Sequence, residues 1–137
     1  VTLVDANVLI DLFIDDPVWS AWSLSRLREG FARGPLLIND VIYAECSTRF
    51  DTVDDFDAAL ITAGVTMQST PRAALFAAGK AYRQYRRSGG PRTGVLSDFF
   101  IGAHAAVEGI PLLTRDTQRY RTYFPTVTLI SPDEDGV

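Results

Sequence analysis

The 137-residue sequence predicts an α/β fold with a central parallel sheet covered on both faces, and three observations carry that expectation. Short apolar runs of strand length recur five times along the chain. Amphipathic stretches of helical length separate them, and glycine, proline or capping residues punctuate the junctions. Strands that alternate with helices in this way imply right-handed crossovers, hence a parallel sheet buried on both sides.

The elements follow in order. Thr2–Val4 is the first strand. The apolar run then breaks at Asp5 and Asn7 and resumes as a helix-like stretch from Val8 to Phe13. Asp15-Asp16-Pro17 places acids before proline, as at the first turn of a helix whose Trp19, Trp22, Leu27 and Phe31 share a buried side. Leu36–Ile38 is the second strand, and Asn39 caps a helix through Val41, Ile42 and Glu45 towards Phe50. Thr52 precedes "VDDFDAALITAG", which Gly64 stops; Val65–Met67 is the third strand. Pro71 opens the helix "PRAALFAAGKAYRQYRR", and "SGGPRTG" is a loop. Ser97 caps "SDFFIGAHAAVEG", which stops at Gly109. Leu112–Thr114 and Val127–Ile130 complete the strands, with Pro125 and Pro132 as turn signals. This organisation predicts one domain over residues 1–131 and a frayed acidic tail at residues 132–137.

Composition narrows the function classes. Hydrophobic residues make up 47% of the chain, but no run approaches the roughly 20 apolar residues of a membrane span. Cys46 is the single cysteine, which excludes an internal disulfide and fits a reducing compartment. No basic-then-apolar leader precedes the first strand, so a cytoplasmic protein is expected. The net charge of −4 is unevenly spread: between Arg72 and Arg121 nine basic residues face the three acids Asp98, Glu108 and Asp116. Lys80 is the only lysine among the 13 basic residues, and arginine is the type that grips phosphates and carboxylates bidentately.

Four carboxylates stand out. Asp5 directly follows the first strand and Asp116 follows the fourth, so both fall on one edge of the sheet, where open parallel sheets gather function. Glu45 lies on the stripe that Val41 and Ile42 bury. Asp98 shares an inward face with Ile101, Gly102 and Ala105. Each also has a structural reading: Asp98 complements a helix dipole, Asp116 or Asn7 caps a helix, and Glu45 is a paired core residue. Asp11, Asp15, Asp16, Asp40, Asp51, Asp54, Asp55 and Asp57 read as caps and exposed faces. Together, the four acids converging in one pocket would repel one another. A hard divalent cation, Mg²⁺ or Mn²⁺, removes that conflict and explains why Asp5 is tolerated between two apolar segments. His104 and Cys46 form no zinc-type cluster and read as packed structural residues. Carboxylates, a hard cation and an arginine rim suit phosphodiester hydrolysis.

The set "VDANVLIDL", "YAE", "SDFFIGAHA" and "LLTRD", in this order, resembles the PIN-domain nucleases, and among them the VapC-type toxins of toxin–antitoxin pairs. The resemblance spans Thr2 to Ile130. It implies a PIN-like three-layer α/β/α sandwich and a Mg²⁺- or Mn²⁺-dependent endoribonuclease that acts as a toxin. It maps the family's acidic quartet, catalytic and metal-holding, onto Asp5, Glu45, Asp98 and Asp116, with Asn7 and Thr114 as supporting polar positions. It also implies a homodimer and an antitoxin partner, for which the Trp19/Trp22 helix and "FDAALITAG" are candidate surfaces. "RQYRRSGGPRTG" is a candidate RNA rim, with Arg86, Arg87, Arg92 and Arg115 for phosphates and Tyr82 or Tyr85 for base stacking.

Other readings fit less well. An aspartyl-phosphate phosphatase wants a second aspartate where Asn7 stands, and a receiver domain wants a strand-end lysine. The remaining alternative is a non-catalytic PIN-like module that binds RNA or protein without cutting.

Overall fold

Five short strands assemble in the order β3-β2-β1-β4-β5, all parallel. They are β1 (Thr2–Val4), β2 (Leu36–Ile38), β3 (Val65–Met67), β4 (Leu112–Leu113) and β5 (Leu129–Ile130), interleaved with helices α1 (Ala6–Phe13), α2 (Ser20–Arg33), α3 (Asp40–Ser47), α4 (Val53–Ala63), α5 (Arg72–Arg87), α6 (Leu96–Glu108) and α7 (Gln118–Tyr123). The computed structural model describes residues 1–92 and 96–133. All three residues of β1 and both of β4 are buried, as a parallel sheet covered by helices on both faces requires. The predicted α/β/α architecture with a central parallel sheet is the observed one. No helix among the described residues is long and apolar enough to cross a membrane.

The strand order decides where function can sit. From β1 the chain moves outward through β2 to β3, then returns to place β4 on the other side of β1. The carboxyl ends of β1 and β4 therefore form the topological switch point, where a crevice opens between diverging connections. The register pairs Val4 with Leu113. Asp5 and Thr114 are thus neighbours at this edge, and the Asp5 N–H donates to the Leu113 carbonyl at 2.9 Å.

Several local expectations hold for visible reasons. Asn39 accepts from the Ile42 backbone N–H at 2.9 Å and caps α3 as expected, and Thr52, beyond that expectation, caps α4 by accepting from the Asp55 N–H at 3.1 Å. Gly64 ends α4 in the left-handed region at φ 74°, and a Cβ there would also strike the Phe31 ring. Gly102 lets α6 close on Phe124, whose ring occupies the space a Cβ would fill.

Other expectations need correction. α2 starts at Ser20, three residues beyond Pro17, because Asp16 Oδ1 accepts from the N–H groups of Val18 (2.8 Å) and Trp19 (2.9 Å) and forms a separate turn. Its buried stripe is Ser23, Leu27 and Gly30, not the tryptophan side. Gly30 faces Leu36, whose Cδ2 a Cβ there would meet at 3.0 Å, and Phe31, one position round the helix, is left 59% exposed. Ser97 lies inside the first turn of α6 instead of capping it, and Thr93, Gly94 and Val95 before it lie outside the described residues. β4 and β5 are two residues each, shorter than predicted. Pro132 is buried and Asp133 accepts from the Thr117 hydroxyl at 2.9 Å, so the start of the expected tail is anchored. Residues 134–137 lie outside the described residues.

Candidate active site

Asp5 is the centre of the switch-point crevice. β1 delivers it and α1 begins after it, so its carboxylate accepts from the Ala6 N–H at 2.7 Å. The Thr114 and Tyr120 hydroxyls each donate to Oδ2 at 2.8 Å. Asn7 ties the two strand ends together: its Nδ2 donates to Thr114 Oγ1 at 3.3 Å, and its Oδ1 accepts from the Arg115 N–H at 3.1 Å. A cation is therefore not the only reason that Asp5 tolerates burial, since protein donors already satisfy it. Asp5, not Asn7, is the cap of α1. Burial still pushes its pKa from 3.8 up to about 6, against the pull of Thr114 and Tyr120 and with a small contribution from the charge of Asp98.

Glu45 and Asp98 approach from α3 and α6. Glu45 Oε2 accepts from the Ser97 hydroxyl at 3.3 Å, while Oε1 is buried without a partner among the described residues. Burial first, then the charges of Asp5 and Asp98, push Glu45 from 4.5 to about 7. Asp98 Oδ2 accepts from Arg119 Nη1 at 2.6 Å. Burial raises the Asp98 pKa despite this ion pair, and the charge of Asp116 adds to the rise. Asp116 itself is exposed at the crevice edge, where its N–H donates to Thr114 Oγ1 at 3.1 Å. The structure thus brings Asp5, Glu45 and Asp98 into mutual electrostatic contact and leaves Asp116 at the rim. Among the described residues, no group of three or more His, Cys, Asp or Glu side chains stands at metal-holding spacing. In donor chemistry the set fits a hard cation: oxygen only, one buried oxygen orphaned, and like charges held together.

Four contributors had no role in the sequence-level site. Tyr120 is buried, and its phenol is pushed well above 10 by burial and by the charges of Asp5 and Asp98. Its signal was the spacing of Tyr120, Tyr123 and Phe124, which gives the short polar α7 one inward face. Arg119 and Ser97 hold Asp98 and Glu45. Asp11, expected on an exposed face, is 1% exposed. It accepts from Arg115 Nε (2.7 Å), Arg115 Nη2 (2.9 Å) and Ser23 Oγ (2.8 Å). Asp11 is three residues after buried Val8, so the helical period did place it inward.

The suggested RNA rim is partly committed elsewhere. Arg115 is held by Asp11 and lies 4.9 Å from the Trp19 ring centroid. Arg86 Nη1 donates to the Gly90 carbonyl at 2.6 Å. Arg87 and Arg92 are exposed. Tyr82 and Tyr85 pack on Phe99, with centroids at 5.5 and 5.3 Å. His104 and Cys46 are fully buried, as expected of structural residues. Asn39 Nδ2 donates to His104 Nδ1 at 3.1 Å, burial lowers the imidazole's pKa, and burial raises the Cys46 thiol to about 12.

The PIN domain family model matches residues 2–125. The chain belongs to the PIN domain family. No curated protein matches this PIN domain. Among solved structures, it superposes on VapBC2 from Rickettsia felis bound to a promoter DNA fragment with a TM-score of 0.71, at 14% identity over 95% of this chain and 97% of the other. VapBC-1 from nontypeable Haemophilus influenzae gives 0.70 at 17% identity, covering 95% and 96%. A toxin–antitoxin complex from Klebsiella pneumoniae gives 0.64 at 20%, covering 96% and 98%. At these identities the likeness is one of fold, and it extends the PIN fold over nearly the whole chain.

Proposed function

We propose that this PIN domain is a Mg²⁺- or Mn²⁺-dependent endoribonuclease and the toxin of a toxin–antitoxin pair. The observation that carries the reading is the convergence of Asp5, Glu45 and Asp98 at the β1/β4 switch point, with Asp5 raised to about 6 and Glu45 to about 7. Such a cluster costs folding stability, and a bound cation offsets that cost. Asp5, Glu45 and Asp98 would hold the ion, and Asp116 would bind at its outer edge. When bound, the ion polarises a phosphoryl oxygen and lowers the pKa of an attacking water. Thr114 and Tyr120 keep the Asp5 carboxylate oriented, and Asn7 holds the strand ends at fixed separation. Arg87 and Arg92, both exposed, would supply the contacts to RNA phosphates.

An antitoxin is the proposed protein partner, by likeness to the toxin–antitoxin complexes. A groove of about 710 Å³ between α2 and α4, lined by Leu12, Phe13, Leu27, Phe31 and Ile61, suits an amphipathic segment. Phe31 and Ile61 are 59% and 78% exposed there. The tryptophans are less suited, because both are half-buried and Trp19 packs under Arg115. A homodimer working in the cytoplasm completes the proposal.

A second reading, a module that binds without cutting, draws on the Arg119–Asp98 ion pair and the open spacing of the acids. One experiment separates the two readings: incubation of an end-labelled structured RNA with the protein in Mg²⁺, Mn²⁺ or chelator, beside an identically purified Asp98→Ala variant. Metal-dependent cuts absent from the variant support the nuclease. No cutting, together with no Mn²⁺ binding, supports the module.

A further inference from the structure

Of the three arginine–aspartate pairs that the described residues form on the connection from β4 through α7, Arg121–Asp133 lies away from the site acids at 3.7 Å, and the two near the crevice differ in how they are held. Arg115 grips buried Asp11 through two nitrogens, Nε and Nη2, and Ser23 also donates to that carboxylate. Such a contact is built to stay closed. Arg119 meets Asp98 through Nη1 at 2.6 Å, and the two side chains are 26% and 23% exposed. This pair rests on one nitrogen and its carboxylate is partly open to water, so it breaks more readily than the two-nitrogen contact to buried Asp11. Behind it, the guanidinium carbon lies 5.5 Å from the centroid of the Tyr85 ring. Beside it opens a polar groove of about 310 Å³ lined by Arg119, Tyr85, Asp116, Gln118, Thr122 and Tyr123.

We propose that Arg119 is an exchangeable counter-ion of the site: it holds Asp98 while no cation is bound and passes to an RNA phosphate in the adjoining groove when one is. The inference rests on the metal-dependent nuclease reading and deepens it. A divalent ion held at Asp98 would repel a guanidinium on the same carboxylate, and Arg119 would then leave Asp98. Stacking on Tyr85 keeps the displaced guanidinium at the groove, where a phosphate replaces the lost carboxylate. The next residue, Tyr120, stays bonded to Asp5 and anchors α7 during the exchange. The fold thereby neutralises part of its own acidic cluster until substrate and ion arrive together.

The test combines calorimetric Mn²⁺ titration with cleavage of a short single-stranded RNA at saturating Mn²⁺. It uses the full chain and its Arg119→Gln variant, with folding checked by circular dichroism. Arg119→Met, which keeps the stem over Tyr85, takes its place if the glutamine variant unfolds. The expected result has two opposite signs: Mn²⁺ binds about five- to tenfold tighter in the variant, while KM for RNA rises by about the same factor. Arg119→Lys keeps the charge and stays within about twofold of the wild type for Mn²⁺. Unchanged or weaker Mn²⁺ binding by the variant, with the wild type still binding, overturns the counter-ion and leaves the nuclease reading standing. Tighter Mn²⁺ binding with an unchanged KM overturns the transfer to phosphate. No Mn²⁺ binding by either protein overturns the metal reading, and the inference falls with it.

Discussion

Replacing Glu45 with glutamine removes one of three converging charges while keeping the side chain's shape and an acceptor for Ser97. In the metal-free protein Glu45 is raised from 4.5 to about 7, first by burial and then by Asp5 and Asp98. A carboxylate with a raised pKa favours its protonated form in the folded state. Its share of stability is therefore present below pH 4.5, falls as pH rises towards 7, and stays lost above that. At about 1.4 kcal/mol per pH unit the loss reaches about 3 kcal/mol, and the partial exposure of Glu45 reduces this to about 1–2 kcal/mol. Urea denaturation in chelator at pH 4 and pH 8 measures it. Wild type and Glu45→Gln should differ little at pH 4, and the variant should be about 1–2 kcal/mol more stable at pH 8. Adding Mn²⁺ at pH 8 should restore the wild type more than the variant, because the ion binds only where its ligands are intact. A variant no more stable than wild type at pH 8 would refute the reasoning, since the converging charges would then impose no cost.

Three further expectations are independent of that one. Tyr120→Phe removes the 2.8 Å hydroxyl contact to Asp5; stability should fall by about 1–2 kcal/mol at pH 8, and an NMR titration of Asp5 should move its pKa further up. Asp11→Ala leaves Arg115 without its bidentate partner and should cost about 2–4 kcal/mol by urea denaturation, with no change in the variant's Mn²⁺ affinity. Phe31→Glu, at a 59% exposed position, should change stability by less than about 1 kcal/mol and reduce antitoxin co-purification at least about tenfold. Retained co-purification would remove the α2/α4 groove from the antitoxin surface.

The site was legible to the extent that its residues follow strand ends or sit on a helical stripe. Asp5 interrupts an apolar run, and Glu45 and Asp98 fall on partly buried faces. Glu45 feels the charges of Asp5 and Asp98, and Asp5 that of Asp98, although among the described residues the three do not reach metal-holding spacing. Asp116 satisfies the same positional rule yet lies exposed, because β4 ends at Leu113 and the chain bends at Arg115 before reaching it. Arg115 looked like a phosphate ligand because its partner, Asp11, lies 104 positions away. Phe31 was placed inside by spacing alone, but the buried stripe of α2 runs through Gly30 instead.

The sequence by itself determined the alternation of strands and helices, the cap at Asn39, the stop at Gly64 and the acid at each relevant strand end. These are local: period, propensity and capping act over a few residues and need no partner from afar. Only the tertiary structure decided that Asp5 is held by Thr114 and Tyr120, that Asp98 faces Arg119, and that Asp11 is buried under Arg115. Those pairings depend on the strand order that sets β4 against β1, and no local pattern encodes which distant donor meets a given carboxylate. The charges were written in the sequence; their partners were assigned by the crossover.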